Sequence, residues 1–180
     1  MTKLQHIEQE LAYWETERLK LIHPLRQLFW ECTLNCNLSC LHCGSDCKKE
    51  LRTQEMPLAD FLPVLDDIKF HQPNVKTMVY TIGGEPLVRK DILECGRAIT
   101  QKGFYWGIVT NGHLLDNSMM KELKKAGLRT ISVDVDGLKE EHNWLRNNDS
   151  SFDRVYEAIN CIKNTPKLVW DVITCVNHRN

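Results

Sequence analysis

Two hydrophobic rhythms divide this chain of 180 residues. Residues 4–22 are polar and rich in Glu, Gln and Lys, with Leu4, Ile7, Leu11 and Trp14 three or four positions apart. That spacing lines the four along one face of a helix, and Pro24 closes it, so an amphipathic leading helix is predicted. Beyond it, short apolar runs alternate with amphipathic stretches. The runs predict strands at 27–32, 76–82, 104–110, 129–135 and 168–176. The stretches between them predict helices at about 57–70, 90–102, 116–126 and 151–164. Phe61, Leu62, Leu65 and Ile68 give the first of these its apolar stripe; Leu93, Ala98 and Ile99 serve the second less cleanly.

Turn chemistry supports these boundaries. Gly103 and Gly127 follow the second and third of these helices, where a left-handed residue is favoured. Asp116, and Ser150 or Ser151, are placed to cap the third and fourth. A repeated β–α order with continuous apolar strands implies an α/β fold, a parallel sheet of about five strands covered by helices. No Pro/Gly/Ser-rich linker, low-complexity segment or repeat divides the chain.

Composition narrows the function. A net charge of −1 and a sequence pI near 6.6 give no basic surface for nucleic acid. No apolar run approaches the roughly 20 residues that span a bilayer, and the N-terminal Met1-Thr2-Lys3-Leu4-Gln5-His6 lacks the apolar core of a signal peptide. The expectation is a cytoplasmic protein with no membrane partner. Five of the eight cysteines, Cys32, Cys36, Cys40, Cys43 and Cys47, fall within sixteen residues. In a reducing compartment such clustering favours a metal or cluster site over disulfides. Cys95, Cys161 and Cys175 lie in apolar stretches and read as small core residues.

The polar residues of interest collect at one end of the predicted sheet. The cysteines follow the first strand and Gly83-Gly84-Glu85-Pro86 the second. Asn111-Gly112 ends the third, Asp134-Val135-Asp136-Gly137 the fourth, and Asn177 the fifth. Parallel α/β sheets bind ligands at the carboxyl ends of their strands. One site at one face is therefore expected.

Cys36-Asn37-Leu38-Ser39-Cys40-Leu41-His42-Cys43 has the spacing C-x3-C-x2-C. Three thiolates on one short loop can hold three irons of a [4Fe–4S] cluster, leaving the fourth iron free for a substrate. A tetrahedral Cys3His zinc site using His42 is the competing reading of the same residues, and Cys32 or Cys47 would in principle close a cluster with a fourth thiol. Gly83 and Gly84 let the backbone approach a ligand closely, the Glu85 carboxylate suits an ammonium group, and Pro86 stiffens the turn. Thr110-Asn111-Gly112 forms a tight turn. Alternation sets Ser132, Asp134 and Asp136 on one face of the fourth strand. Arg146, in the polar loop stretch that also holds His142 and Trp144, has the geometry to pair bidentately with a carboxylate.

The cysteine triplet and the G-G-E-P segment together resemble the radical S-adenosylmethionine (radical SAM) superfamily, over nearly all of the chain from about residue 26. The resemblance implies a partial TIM-like (βα) barrel, with residues 1–25 as a helical extension and 26–180 as the core. It implies a [4Fe–4S] cluster on Cys36, Cys40 and Cys43, with S-adenosylmethionine (AdoMet) against Gly83, Gly84, Glu85, Pro86, Asn111, Ser132, Asp134 and Arg146. His42 stands where relatives often have an aromatic residue beside adenine. The implied reaction is one-electron reductive cleavage of AdoMet to methionine and a 5′-deoxyadenosyl radical, which abstracts hydrogen from a substrate. A flavodoxin- or ferredoxin-like electron donor is implied as a partner. The segment from Cys43 to Glu50 resembles peptide-modifying SPASM relatives, which implies a peptide or protein substrate. The family core usually has six strands and only five are found, so the expectation is a core incomplete at its C-terminus, self-associating through the open edge of the fifth strand. A non-catalytic Fe–S or zinc binding module, or a truncated fragment, is the alternative.

Overall fold

The computed structural model describes residues 2–47 and 54–180. Five parallel strands form one sheet in the order β1-β2-β3-β4-β5: β1 Gln27–Thr33, β2 Met78–Gly83, β3 Tyr105–Thr110, β4 Leu128–Asp134 and β5 Val169–Ile173. Helices α1 Lys3–Ile22, α2 Leu58–His71, α3 Ile92–Gln101, α4 Asn117–Lys125, α5 Lys139–Arg146 and α6 Ser151–Lys163 complete the chain. Sequential parallel order with a helical crossover between neighbours is the winding of a partial barrel.

Alternation along the strands explains the core. Trp30, Cys32, Val79, Trp106, Ile108, Ile131 and Val133 are buried under the helices. Trp30 stacks on Phe61 of α2 at 3.9 Å between centroids, and the Trp106 indole N–H donates to Thr81 Oγ1 at 3.1 Å. The opposite face is open, with Phe29 stacked on Tyr80 at 5.2 Å and itself exposed. The irregular stripe of α3 has a simple cause: its buried positions are Ile92, Cys95, Gly96 and Ile99. Gly96 belongs there because a Cβ would stand 2.1 Å from the Trp106 ring.

Gly103 and Gly127 take φ of 89° and 100° just past their helices, and the Asp116 carboxylate caps α4 through Met119 N–H. Three expectations are corrected. The stripe of α1 faces no core: Leu4, Ile7, Leu11 and Trp14 are all exposed, and the helix is held at its start by a Thr2–Gln5 capping box. The stretch read as a polar loop is helix α5, whose inward positions are His142, Leu145 and Arg146; two of the three are polar, so hydropathy hides the periodicity. Neither Ser150 nor Ser151 caps α6 with its side chain; Asn143 Oδ1 of α5 accepts from Phe152 N–H instead. Among the described residues no helix is long and apolar enough to cross a membrane.

Candidate functional site

The chain leaving β1 is clamped to the turn leaving β2. Thr33 O accepts from Gly84 N–H at 2.9 Å, and Asn35 O accepts from Glu85 N–H at 2.8 Å. This approach accounts for both glycines. A Cβ on Gly83 would lie 2.0 Å from Thr33 O, and one on Gly84 2.2 Å from Asn35 O. Real Cβ atoms do not come so close, and Gly83 also has φ +133°, so no other residue fits without displacing the loop. Both glycines thus admit a close approach of the chain's own backbone, at Thr33 and Asn35 just before Cys36, while also lining the cavity described below. Thr33 Oγ1 and Asn35 Nδ2 reach Glu55, and Arg89 donates to the carbonyls of Cys32 and Met56 while its face lies over Trp30. The sequence gives little sign of Arg89, which lies among ordinary surface cations.

Glu85 is fully buried, with its carboxylate turned inward rather than toward the open face. It accepts from Leu87 N–H (3.0 Å), Thr110 Oγ1 (2.8 Å) and Asn111 N–H (2.8 Å). Burial pushes its carboxyl up to about 7 against the pull of those donors. What it does physically is lock the end of β3 to the end of β2. Asn111 is placed by this lock. Its Nδ2 donates to Asn37 Oδ1 at 2.8 Å, and its Oδ1 accepts from His113 N–H at 2.9 Å.

Cys36, Cys40 and Cys43 line a single cavity of about 240 Å³ with His42, Cys47, Gly83, Gly84, Asn111, Asp134 and Arg146. This is smaller than the roughly 300–1,000 Å³ of most enclosed ligand pockets, and it lies where the strand ends meet the open face. A cavity of about 810 Å³ between Leu41 and Trp144 contains none of these thiols. Each of the three sulfurs has an N–H group aimed at it. Leu38 N–H points to Cys36 at 3.5 Å, Cys47 N–H to Cys43 at 3.3 Å, and Arg146 Nη1 to Cys40 at 3.9 Å. Donors directed at sulfur suit anionic thiolate ligands. Burial pushes Cys36 up to about 11, with the Leu38 N–H opposing, and raises Cys40, with Arg146 opposing. These residues therefore fit a thiolate-ligated cluster. All eight cysteines are free.

The far wall is ionic. Arg146 Nε donates to Asp136 Oδ2 at 2.6 Å and Nη1 to Asp134 Oδ2 at 3.2 Å. Asp136 is buried, and its second oxygen accepts from Cys175 N–H at 2.9 Å, beyond β5. Burial raises the Asp134 carboxyl, with Arg146 opposing. His142 is buried too: Nδ1 accepts from Asp136 N–H and Nε2 meets Ser151 Oγ at 3.0 Å, so it is a neutral structural residue pushed down to about 4 by burial. Ser132 is buried in β4 opposite Asp171, and neither it, Glu85 nor Pro86 lines the cavity. Cys32 is a buried strand thiol, pushed by burial up to about 12. Cys47, a loop thiol, is buried beside Cys36 and Cys43. The rest of the segment compared with peptide-modifying relatives, Lys48 to Glu50, lies outside the described residues.

Comparison with known proteins bears on the family and the fold. The chain is 34% identical over 134 residues to Fe-coproporphyrin III synthase of Methanosarcina barkeri, covering 73% of this chain and 33% of that protein. It is 34% identical over 121 residues to PqqA peptide cyclase of Granulibacter bethesdensis, covering 66% and 32%. It thus spans about a third of the length of these curated relatives. Among solved structures, anSMEcpe with bound AdoMet superposes with a TM-score of 0.62 at 24% identity, over 83% of this chain and 42% of that one. The family model of the radical SAM superfamily matches residues 30–180, from the buried Trp30 of β1 through all five strands. With its cysteine triplet brought into one cavity at the carboxyl ends of a parallel sheet, this chain belongs to the radical SAM superfamily.

Proposed function

We propose that residues 26–180 form the cofactor-binding core of a radical SAM enzyme and that residues 1–25 are a helical extension. Cys36, Cys40 and Cys43 would hold a [4Fe–4S] cluster, and the cavity that they line would receive AdoMet. The observation that carries this reading is the convergence of the three thiols, each met by an N–H donor, on one cavity walled by Gly83, Gly84, Asp134 and Arg146. When bound, such a cluster supplies the electron that cleaves AdoMet to methionine and a 5′-deoxyadenosyl radical.

The chain's own residues do the positioning. The Gly83–Gly84 backbone and Asp134 offer acceptors to an ammonium, Asn111 braces the Cys36 side of the loop through Asn37, and His42 stands at the rim for the adenine. Glu85 and Pro86 act from behind, by fixing the turn. Ser132 sits one alternation step below Asp134 on the same strand and, outside the cavity lining, supports that wall from behind.

A fourth thiol, Cys47, shares the cavity, and that observation favours the rival reading of a closed, non-catalytic metal site. Yet among the described residues no three His, Cys, Asp or Glu side chains are grouped to hold a single ion. For the substrate we read a peptide or protein, supported by the likeness to PqqA peptide cyclase; the electron donor is flavodoxin- or ferredoxin-like, and the compartment is the cytoplasm. The test is anaerobic reconstitution with iron and sulfide, followed by reductant and AdoMet. Formation of 5′-deoxyadenosine supports the reading; stoichiometric zinc with no iron-dependent chromophore refutes it.

A further inference from the structure

Arg146 carries more connections than a cavity wall requires. Its side chain is 7% exposed and that of Asp136 1% exposed, so the pair is shielded from water. Three contacts in series join the strand edge to the cysteine loop: Cys175 N–H to Asp136 Oδ1 (2.9 Å), Asp136 Oδ2 to Arg146 Nε (2.6 Å), and Arg146 Nη1 to Cys40 Sγ (3.9 Å). Asp134 Oδ2 holds the same Nη1 from the side at 3.2 Å. Backbone follows side chain, because Leu145 O accepts from Leu41 N–H at 2.8 Å, tying the last turn of α5 to the residue after Cys40. The guanidinium therefore cannot swing away from the sulfur without breaking two ion pairs.

A fixed cation beside a cluster ligand has a definite electrical consequence. Reduction adds one negative charge to the cluster, and the potential of an iron–sulfur centre responds to nearby charge and to hydrogen bonds on its sulfurs. Poor screening in a buried site strengthens the effect. Arg146 favours the reduced form and Asp134 opposes it. Asp136 spends its two oxygens on Arg146 and a backbone N–H.

We propose that Arg146 is a positioning residue that raises the reduction potential of the cluster, held against the Cys40 sulfur by Asp134 and Asp136 and anchored through Asp136 to the end of β5. This rests on the reading of Cys40 as a cluster ligand. The electron comes from an external low-potential one-electron donor, and the arginine neither gains nor loses a proton.

The experiment compares the full chain, reconstituted anaerobically, with Arg146→Gln, Arg146→Lys and Asp134→Asn. Iron and sulfide content is measured first, then the midpoint potential by mediated titration followed by absorption and EPR. Arg146→Gln is expected to disfavour reduction at least tenfold, a lowering of about 59 mV for one electron. Arg146→Lys should fall between it and the wild type. Asp134→Asn should move the potential the other way. Loosening of the loop alone would not produce shifts of opposite sign. Equal potentials in all four proteins, or shifts of Arg146→Gln and Asp134→Asn in one direction, overturn the inference while leaving the cluster reading intact. If Arg146→Gln takes up no iron, the sign of the Asp134→Asn shift decides. A wild-type chain that assembles no cluster overturns the cluster reading and this inference with it.

Discussion

Replacing Gly84 by alanine puts a methyl carbon 2.2 Å from the Asn35 carbonyl oxygen and 2.7 Å from its carbon. These are backbone atoms, so relief requires the post-β2 turn and the cysteine loop to separate. The first loss is the pair of clamps, Gly84 N–H to Thr33 O and Glu85 N–H to Asn35 O, each about 0.5–1.5 kcal/mol net. The second is the register of the buried Glu85 against its three donors, where one unsatisfied buried group costs about 1–3 kcal/mol. Together these give about 2–6 kcal/mol, a large part of the roughly 5–15 kcal/mol of a typical domain. At roughly 2–4 °C per kcal/mol for a chain of this size, Tm falls by about 4–24 °C. The assay is thermal and chemical denaturation beside Gly44→Ala, a control on the same loop, since a Cβ there meets nothing within 4 Å. Iron uptake by Gly84→Ala should also fall, because Asn35 adjoins Cys36. A Tm within about 1 °C of Gly44→Ala, with full iron uptake, would refute the clamp.

Three further outcomes are expected. His142 has a folded value near 4 against an ordinary 6.5, so the unfolded chain binds its proton first. Its contribution is complete above pH 6.5 and is lost as pH falls toward 4, by about 3 kcal/mol at 1.36 per unit; denaturation free energies across pH 4–7, with an imidazole NMR titration, check this. Cys47→Ser should retain a cluster and its response to AdoMet, whereas Cys40→Ala loses the iron chromophore; loss of the cluster in Cys47→Ser would make Cys47 a ligand. β5 exposes Val169, Trp170, Val172 and Ile173 at the sheet edge, so the chain should self-associate in light scattering, and Val172→Lys should reduce this.

Much of the site was legible because its chemistry is local in sequence. The triplet Cys36, Cys40 and Cys43 occupies one loop, and the strand pattern by itself placed Gly83, Asn111 and Asp134 at the same end of the sheet. What stayed hidden depends on partners far apart in the chain. The need for the glycines is set by Thr33 and Asn35, about fifty residues upstream. The inward turn of Glu85 depends on Thr110 and Asn111. Helix α5 escaped because its buried face is built from His142 and Arg146, whose polarity is neutralised by Asp136 and Ser151 rather than by apolar neighbours. In each case hydropathy records what a side chain is, while its place is decided by the group it meets.

The central claim is that three thiols leave one iron open for AdoMet. EPR of the reduced, reconstituted protein tests it most directly, recorded with and without AdoMet and with methionine as a control. The account predicts that AdoMet shifts the g values of the cluster signal in the wild type and in Cys47→Ser alike. A cluster spectrum that AdoMet leaves unchanged in both would contradict it.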